Sequence, residues 1–189
     1  MDKELKRCWN TDNSIHIEYH DLEWGVPLHD DRKFFEFLVL GGFQAGLTWW
    51  LILHRRDIFR RSFDHFDPVK VANYSINDIE RLINIEGIIK NKLKINSAIN
   101  NAKQFLNVQR EFGSFDVFIW QFVKGRTIQN SFSSLEELPT ETEESRAMSR
   151  ELKRRGFTFV GPTICYAFMQ ATGMVNDHIN ECHRHEELK

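Results

Sequence analysis

A chain of 189 residues is long enough for one sizeable core, or for two lobes folded around a cleft. Its 25 basic and 27 acidic residues leave a formal net charge of −2, which excludes bulk attraction to nucleic acid, so any contact of that kind needs a local basic face. Three cysteines exclude a disulfide framework and no apolar run is long enough to span a bilayer, so the expectation is a cytoplasmic protein with no membrane association.

Apolar residues recur at three- and four-residue spacing along most of the chain, whereas alternating β-branched runs are almost absent, which predicts an all-α fold. The stretch Tyr19-His20-Asp21-Leu22-Glu23-Trp24-Gly25-Val26-Pro27 mixes aromatic and polar residues more densely than packing requires. Asp30 and Asp31 are candidate caps for a helix through Phe34, Phe35, Leu38 and Leu40. A second dense stretch, Gln44-Ala45-Gly46-Leu47-Thr48-Trp49, follows, and Thr48 is read as the cap of one helix running past Trp50 and Ile52 to Phe59. Pro68 starts a short helix, and Asn77 is expected to cap the next, which carries Ile79, Leu82 and Ile83. Beyond Gly87 a long helix is predicted from about Asn91 to Arg110, with Leu93, Ile95, Ile99, Ala102, Phe105 and Leu106 on its inner side. Residues 125–143 are polar, contain Pro139, and read as a loop. A basic helix from about Glu144 to Arg155 comes next, and Gly161-Pro162 opens a last apolar helix from Ile164 to Gly173.

Where the helices around Leu82 and Lys94 meet, the connection Ile85-Glu86-Gly87-Ile88 is short. Gly87 suits a turn with positive φ, Ile88 and Ile89 can bury themselves between the helices, and Lys90, Lys92 and Lys94 follow at once. This resembles a helix-hairpin-helix element, spanning about residues 77–110, in which backbone N–H groups and lysines hold a DNA phosphate without reading sequence. A plain helical hairpin with solvated lysines has the same pattern. Arg55-Arg56 with Arg60-Arg61, and Arg150 with Lys153-Arg154-Arg155, are further basic clusters that extend a phosphate-binding face or are simply solvated.

Tyr19, Trp24 and Trp49 are candidates for the walls of a slot whose π faces favour a planar, electron-poor or cationic ring; aromatic core packing is the alternative. Cys8 and His20 near one end, with His178 and Cys182 near the other, make up the two-thiolate, two-imidazole set of a tetrahedral structural zinc. The four-residue spacing of His178 and Cys182 suits a helix or its frayed end. Such a site would clip the two ends together and leave no coordination position open for a substrate, which argues against a metalloenzyme. Alternatively Cys8 is a small buried hydrophobe, Cys182 a free thiol and the histidines ordinary surface residues.

Tyr19 to Pro27, Gln44 to Trp49, Phe66-Asp67-Pro68-Val69-Lys70-Val71, Gly87-Ile88-Ile89, Arg154 to Gly161, Thr163-Ile164-Cys165-Tyr166 and Val175-Asn176-Asp177-His178 together closely resemble the DNA-3-methyladenine glycosylase I family, in order and over nearly the whole chain. The resemblance implies a single all-α helix-hairpin-helix DNA glycosylase unit over residues 1–189, with helical lobes around a base-binding cleft and a structural zinc on Cys8, His20, His178 and Cys182. It implies hydrolytic release of 3-methyladenine from alkylated double-stranded DNA after base flipping, without strand cleavage. Tyr19, Trp24 and Trp49 fall where the family stacks on the base. His16 stands where the family often has a tyrosine and joins that base-binding set. Gly46 and Leu47 fall on the loop that enters the gap left by the flipped base, and Gly87, Lys90 and Lys92 fall on the backbone anchor. Nothing in this picture requires more than a monomer, cytoplasmic and acting at the nucleoid.

One departure bears on activity. Family members carry a glutamate in the helix before Gln44, hydrogen-bonded to the edge of the flipped adenine, and this chain has Gly41 there. Glu36 lies about a turn and a half earlier and is expected to face elsewhere, and Gly42 follows, each mid-helix glycine costing about 1 kcal/mol relative to alanine. No catalytic group is assigned. The sequence therefore leaves open an active glycosylase with a shifted base preference, or a weak relative that binds damaged or flipped nucleotides.

Overall fold

Short polar side chains that cap backbone N–H groups set most helix starts. In the computed structural model, which describes residues 5–189, Asn13 caps α1 (Ser14–Leu22) and Asp30 caps α2 (Asp31–Gln44), accepting from the Lys33 N–H. Thr48 caps α3 (Trp49–Leu53). The single helix expected to reach Phe59 is instead two, because the chain turns at His54-Arg55 before α4 (Arg56–Ser62) and brings the Arg56 side chain inward. Asp67 and Pro68 open α5 (Pro68–Ala72). The next start is Ser75 rather than Asn77, since Ser75 and Asp78 form a reciprocal capping box on α6 (Ile76–Asn84).

Asn91 caps α7 (Lys92–Phe112), the longest helix, which packs against α2, α5, α6 and α8 (Phe115–Ile119). Ile95, Ile99, Ala102 and Phe105 are buried as expected, but Leu93 is 72% exposed, and the inward position beside it belongs to Lys94. Thr142 caps α9 (Glu143–Arg154), and Pro162 sits in the first turn of α10 (Pro162–Ala171), which packs on α9 and α2. A final short helix, α11, covers His183–Glu187. Within the stretch read as a loop, β1 (Ile128–Gln129) pairs in parallel with β2 (Val175–Asn176). The fold is otherwise helical, and no helix among the described residues is long and apolar enough to cross a membrane.

Helix α2 organises the aromatic core. Phe35 packs on Phe105 at 5.3 Å and Phe105 stacks on Phe115 at 4.2 Å, while at the other end of α2 Phe43 packs on Phe59 at 4.7 Å. Most of the sixteen phenylalanines are thus structural, and a third stripe of α2 is left to line a cavity.

Candidate active site

Phe37, Gly41 and Gln44 recur at helical spacing on α2 and face Ile164, Ala167, Phe168 and Ala171 on α10 across a cavity of about 180 Å³. That is small for a drug-like ligand and suits one aromatic base. Tyr19 from α1, Trp24 just beyond it, and Trp49 and Trp50 from α3 close the remaining sides with Trp9. Tyr19 and Trp49 lie 5.5 Å apart, centroid to centroid, and Trp49 stacks against Phe37 at 6.3 Å. The aromatic slot read from the sequence is therefore assembled, and Trp9, Phe37, Trp50 and Phe168 belong to it as well. Of these, the sequence pointed to Trp50 as filling the space beside Gly41; Phe37 and Phe168 look like helix core until the cavity is seen, and Trp9 lies outside any helix with no pattern to mark it.

Every side chain in this lining is neutral: its polar groups are the Tyr19 hydroxyl, the indole N–H groups and the amides of Gln44 and Gln170. Burial holds the Tyr19 hydroxyl well above its ordinary pKa, so it stays protonated. The indole N–H groups of Trp9 and Trp49 are buried without a hydrogen-bond partner, a condition that concentrates at sites a ligand completes. Gln170 donates its amide to buried Asp177 at 2.8 Å, and Asp177 also accepts from Tyr166 at 2.6 Å and Asn130 at 2.7 Å. Glu36 points away from the cavity, accepting from Arg56 at 2.7 Å and Arg60 at 2.9 Å. Arg56 also donates to Glu23 at 2.7 Å and lies 5.2 Å from the Phe37 ring, so this buried network supports the cavity wall from behind.

His16 does not line the cavity. Its ring stacks on Trp50 at 4.0 Å and shares a hydrogen bond with His54 at 3.1 Å, so it backs the wall instead of touching the occupant. Burial, then the neighbouring His54, lowers its pKa.

The loop from Ala45 to Thr48 leaves the cavity at the C-terminus of α2. Gly46 takes φ +76° with open space where a Cβ would be, and Leu47 is 39% exposed. Across from it, Gly87 takes φ +85°, and a Cβ there would lie 2.6 Å from Ile58, so both conformation and space demand glycine. Ile88 is buried between the helices, and Lys90 and Lys92 are exposed and held in no ion pair among the described residues. Lys94 is not part of that face: its ammonium is buried, donating to the carbonyls of Phe43 at 2.8 Å and Ala45 at 2.6 Å. The other basic clusters are largely spent internally. Arg56 and Arg60 bind Glu36, Arg155 binds Glu111 and Glu151, and Arg154 binds Glu151, whereas exposed Arg61 shares a surface depression with Gly87.

The four candidate metal ligands converge. Donor atoms of Cys8, His20, His178 and Cys182 all lie within 4.8 Å of one another, and all four residues are buried. Cys8 and Cys182 each place sulfur 3.3 Å from His178 Nδ1, and Cys182 lies 3.5 Å from His20 Nε2, close to the roughly 3.6 Å edge of a tetrahedron built on zinc–sulfur and zinc–nitrogen bonds. His178 and Cys182 are not on a helix: they flank a loop after β2, with Cys182 immediately before α11. The outward nitrogens are held too, His20 Nδ1 by Asp21 at 2.7 Å and His178 Nε2 by the Trp24 carbonyl at 2.9 Å, the partners that fix a ligating imidazole. The hydrogen bond from Cys8, then the contacts with the two imidazoles, hold the Cys182 thiol below its ordinary pKa, which favours the thiolate form that a metal takes.

A model of methyladenine glycosylases matches residues 9–185. The chain belongs to the methyladenine glycosylase family. Among its members, DNA-3-methyladenine glycosylase 1 of Escherichia coli (strain K12) is 46% identical over 179 residues, covering 94% of this chain and 96% of that protein. A crystal structure of 3-methyladenine DNA glycosylase I superposes with TM-score 0.92 at 46% identity, over 95% of this chain and all of that one. A single-residue variant of such a family enzyme, solved in complex with 3-methyladenine, is 31% identical with TM-score 0.89, over 92% of this chain and 93% of that one.

Proposed function

We propose that this chain is a monofunctional DNA-3-methyladenine glycosylase of base-excision repair. The observations that carry the reading are the aromatic cavity, sized for one base, and a glycine hairpin with exposed lysines. A lesion inside a duplex must be turned out of the stack before its glycosidic bond is reachable. Gly87 with Lys90 and Lys92 holds the phosphate backbone of double-stranded DNA, Gly46 and Leu47 fill the gap, and Tyr19, Trp24 and Trp49 receive the base. N3-methylation makes adenine cationic, so the C1′–N9 bond breaks with its electron pair going to N9 and the base leaves neutral. Water then bonds to C1′ and gives its proton to solvent. The protein's share is to orient the base and shield it with π faces that favour the cation.

The two thiols and two imidazoles fit zinc, closed to substrate and therefore structural. All the residues of this site come from one chain, so it works as a monomer. The test is incubation with methylated duplex DNA and chromatography of the bases released. Free 3-methyladenine with intact strands is expected; duplex binding without release would mark a binding protein instead.

A further inference from the structure

Gly41 is a glycine that the fold does not ask for. It lies inside α2 with ordinary helical φ, and a Cβ there would meet only Ile164 Cγ2, at a comfortable 3.6 Å. Mid-helix glycine is unfavourable, so the backbone gains nothing from it. What the glycine does give is space and the absence of charge at the cavity wall. One turn further on, the Gln44 amide reaches the same cavity and makes no hydrogen bond among the described residues.

The purines differ at C6, where adenine presents an N–H donor and guanine a carbonyl acceptor, while both present N7 as an acceptor. A carboxylate in the wall would accept from the first and repel the second. A neutral amide discriminates against neither, because rotating its end by half a turn exchanges donor for acceptor. In the rest of the lining the Gln170 amide is tied to Asp177, the Tyr19 hydroxyl can donate or accept, and the aromatic faces stack on either purine.

We propose that this cavity reads the shape and charge of an N3-alkylated purine rather than adenine in particular, so that the chain releases 3-methylguanine with an efficiency comparable to 3-methyladenine. Gly41 leaves the wall without a carboxylate to repel the guanine carbonyl, and Gln44 turns to match whichever group stands at C6. The bond changes are those of adenine release: C1′–N9 breaks, its electron pair neutralises the base, and water takes its place at C1′. This rests on the glycosylase reading of the same cavity.

The experiment measures release rates of 3-methyladenine and 3-methylguanine from one methylated duplex, for the parent, Gly41→Glu and Gly41→Gln. Binding of the two free bases to the parent is followed by tryptophan fluorescence. The parent is expected to release both bases at rates within about tenfold of each other. Gly41→Glu should widen the ratio toward adenine by about ten- to a hundredfold, the worth of a charge-assisted hydrogen bond, while Gly41→Gln should not. Release of 3-methyladenine alone by the parent overturns this inference and leaves the glycosylase standing, and so does a ratio unmoved in a folded Gly41→Glu. Release of neither base by the parent overturns both. Should Gly41→Glu fail to fold, the parent's own ratio and its affinities for the two free bases decide.

Discussion

Trp49 sits half-buried between Tyr19 and Phe37, with one face toward the cavity, so its removal takes a stacking surface from the base and only part of a packing surface from the core. Stacking on an aromatic side chain contributes about 1–3 kcal/mol per base, so Trp49→Ala should weaken free 3-methyladenine by about ten- to a hundredfold. Its stability loss should stay below the roughly 3–5 kcal/mol expected for Phe105→Ala, whose ring is fully buried. Titration by fluorescence of the remaining tryptophans, beside urea melts of both variants, separates the effects; base affinity unchanged in Trp49→Ala would remove this residue from the site. Glu151 shows the opposite economy. Hydrogen bonds from Arg154, then Arg155, pull its carboxyl down to about 2, so its contribution is present above its ordinary value of about 4.5 and is lost as pH falls toward 2. Because Glu151 is partly exposed and its partner Arg154 mostly so, Glu151→Gln should flatten the acid limb of stability by less than about 1 kcal/mol, and a larger change in acid melts would show that the pair is better shielded than its exposure indicates.

Between elements, Lys94 is the unexpected part. Its ammonium joins the first turn of α7, next to the hairpin, to the last carbonyls of α2, at the base of the Gly46-Leu47 loop. Burial lowers its pKa, and the carbonyl end of the helix replaces a carboxylate partner. Lys94→Met leaves the Phe43 and Ala45 carbonyls unpaired, at a cost of about 1–3 kcal/mol. Base release should slow while affinity for undamaged duplex changes little, because the loop loses its tie to the backbone anchor. Lys90→Ala should do the reverse, weakening all duplexes about equally and flattening the salt dependence. Equal effects on release and duplex binding in both variants would dissolve the distinction. Lys94 also shows what a sequence conceals. A third lysine after two solvated ones reads as a third phosphate contact, and only the register of α7 on α2 turns it inward. The caps Asp30 and Thr48 and the helix starts at Pro68 and about Asn91 were legible because they act locally, although Ser75 took the place expected of Asn77. The break between α3 and α4 was not, since it is stabilised by Arg56 reaching Glu36 and Glu23 from elsewhere in the chain. For the site, the motifs located Tyr19, Trp24 and Trp49, whereas Trp9 and Phe168 carry no local signal, and His16 went behind the wall because Trp50 occupies the place in front of it.

At the scale of the whole molecule, the Cys/His cluster joins segments more than 150 residues apart in sequence, and its outward bonds run to the cavity wall. His178 holds the Trp24 carbonyl, and Gly25, at φ +77°, donates its N–H to Gln170 at 2.9 Å. A Cβ on Gly25 would lie 3.0 Å from the His178 ring, so the glycine is what lets the wall approach the ligand. Without a metal, Cys8, His20, His178 and Cys182 lose their common partner, and the segments they join lose a cross-link whose effect grows with the length of the closed loop. Cys182→Ser should therefore lose its zinc and melt several degrees lower, and chelator should lower the melting temperature of the parent but not of the variant. Because Trp24 and Gln170 hang from the same knot, free-base affinity should fall with the metal, while salt-dependent binding to undamaged duplex, for which the hairpin lysines are proposed, should hold. Metal analysis, melting curves and the two binding titrations on one preparation decide this. Full zinc content in Cys182→Ser would break the ligand assignment, and zinc loss with unchanged base affinity would show that the cavity wall stands without the cross-link.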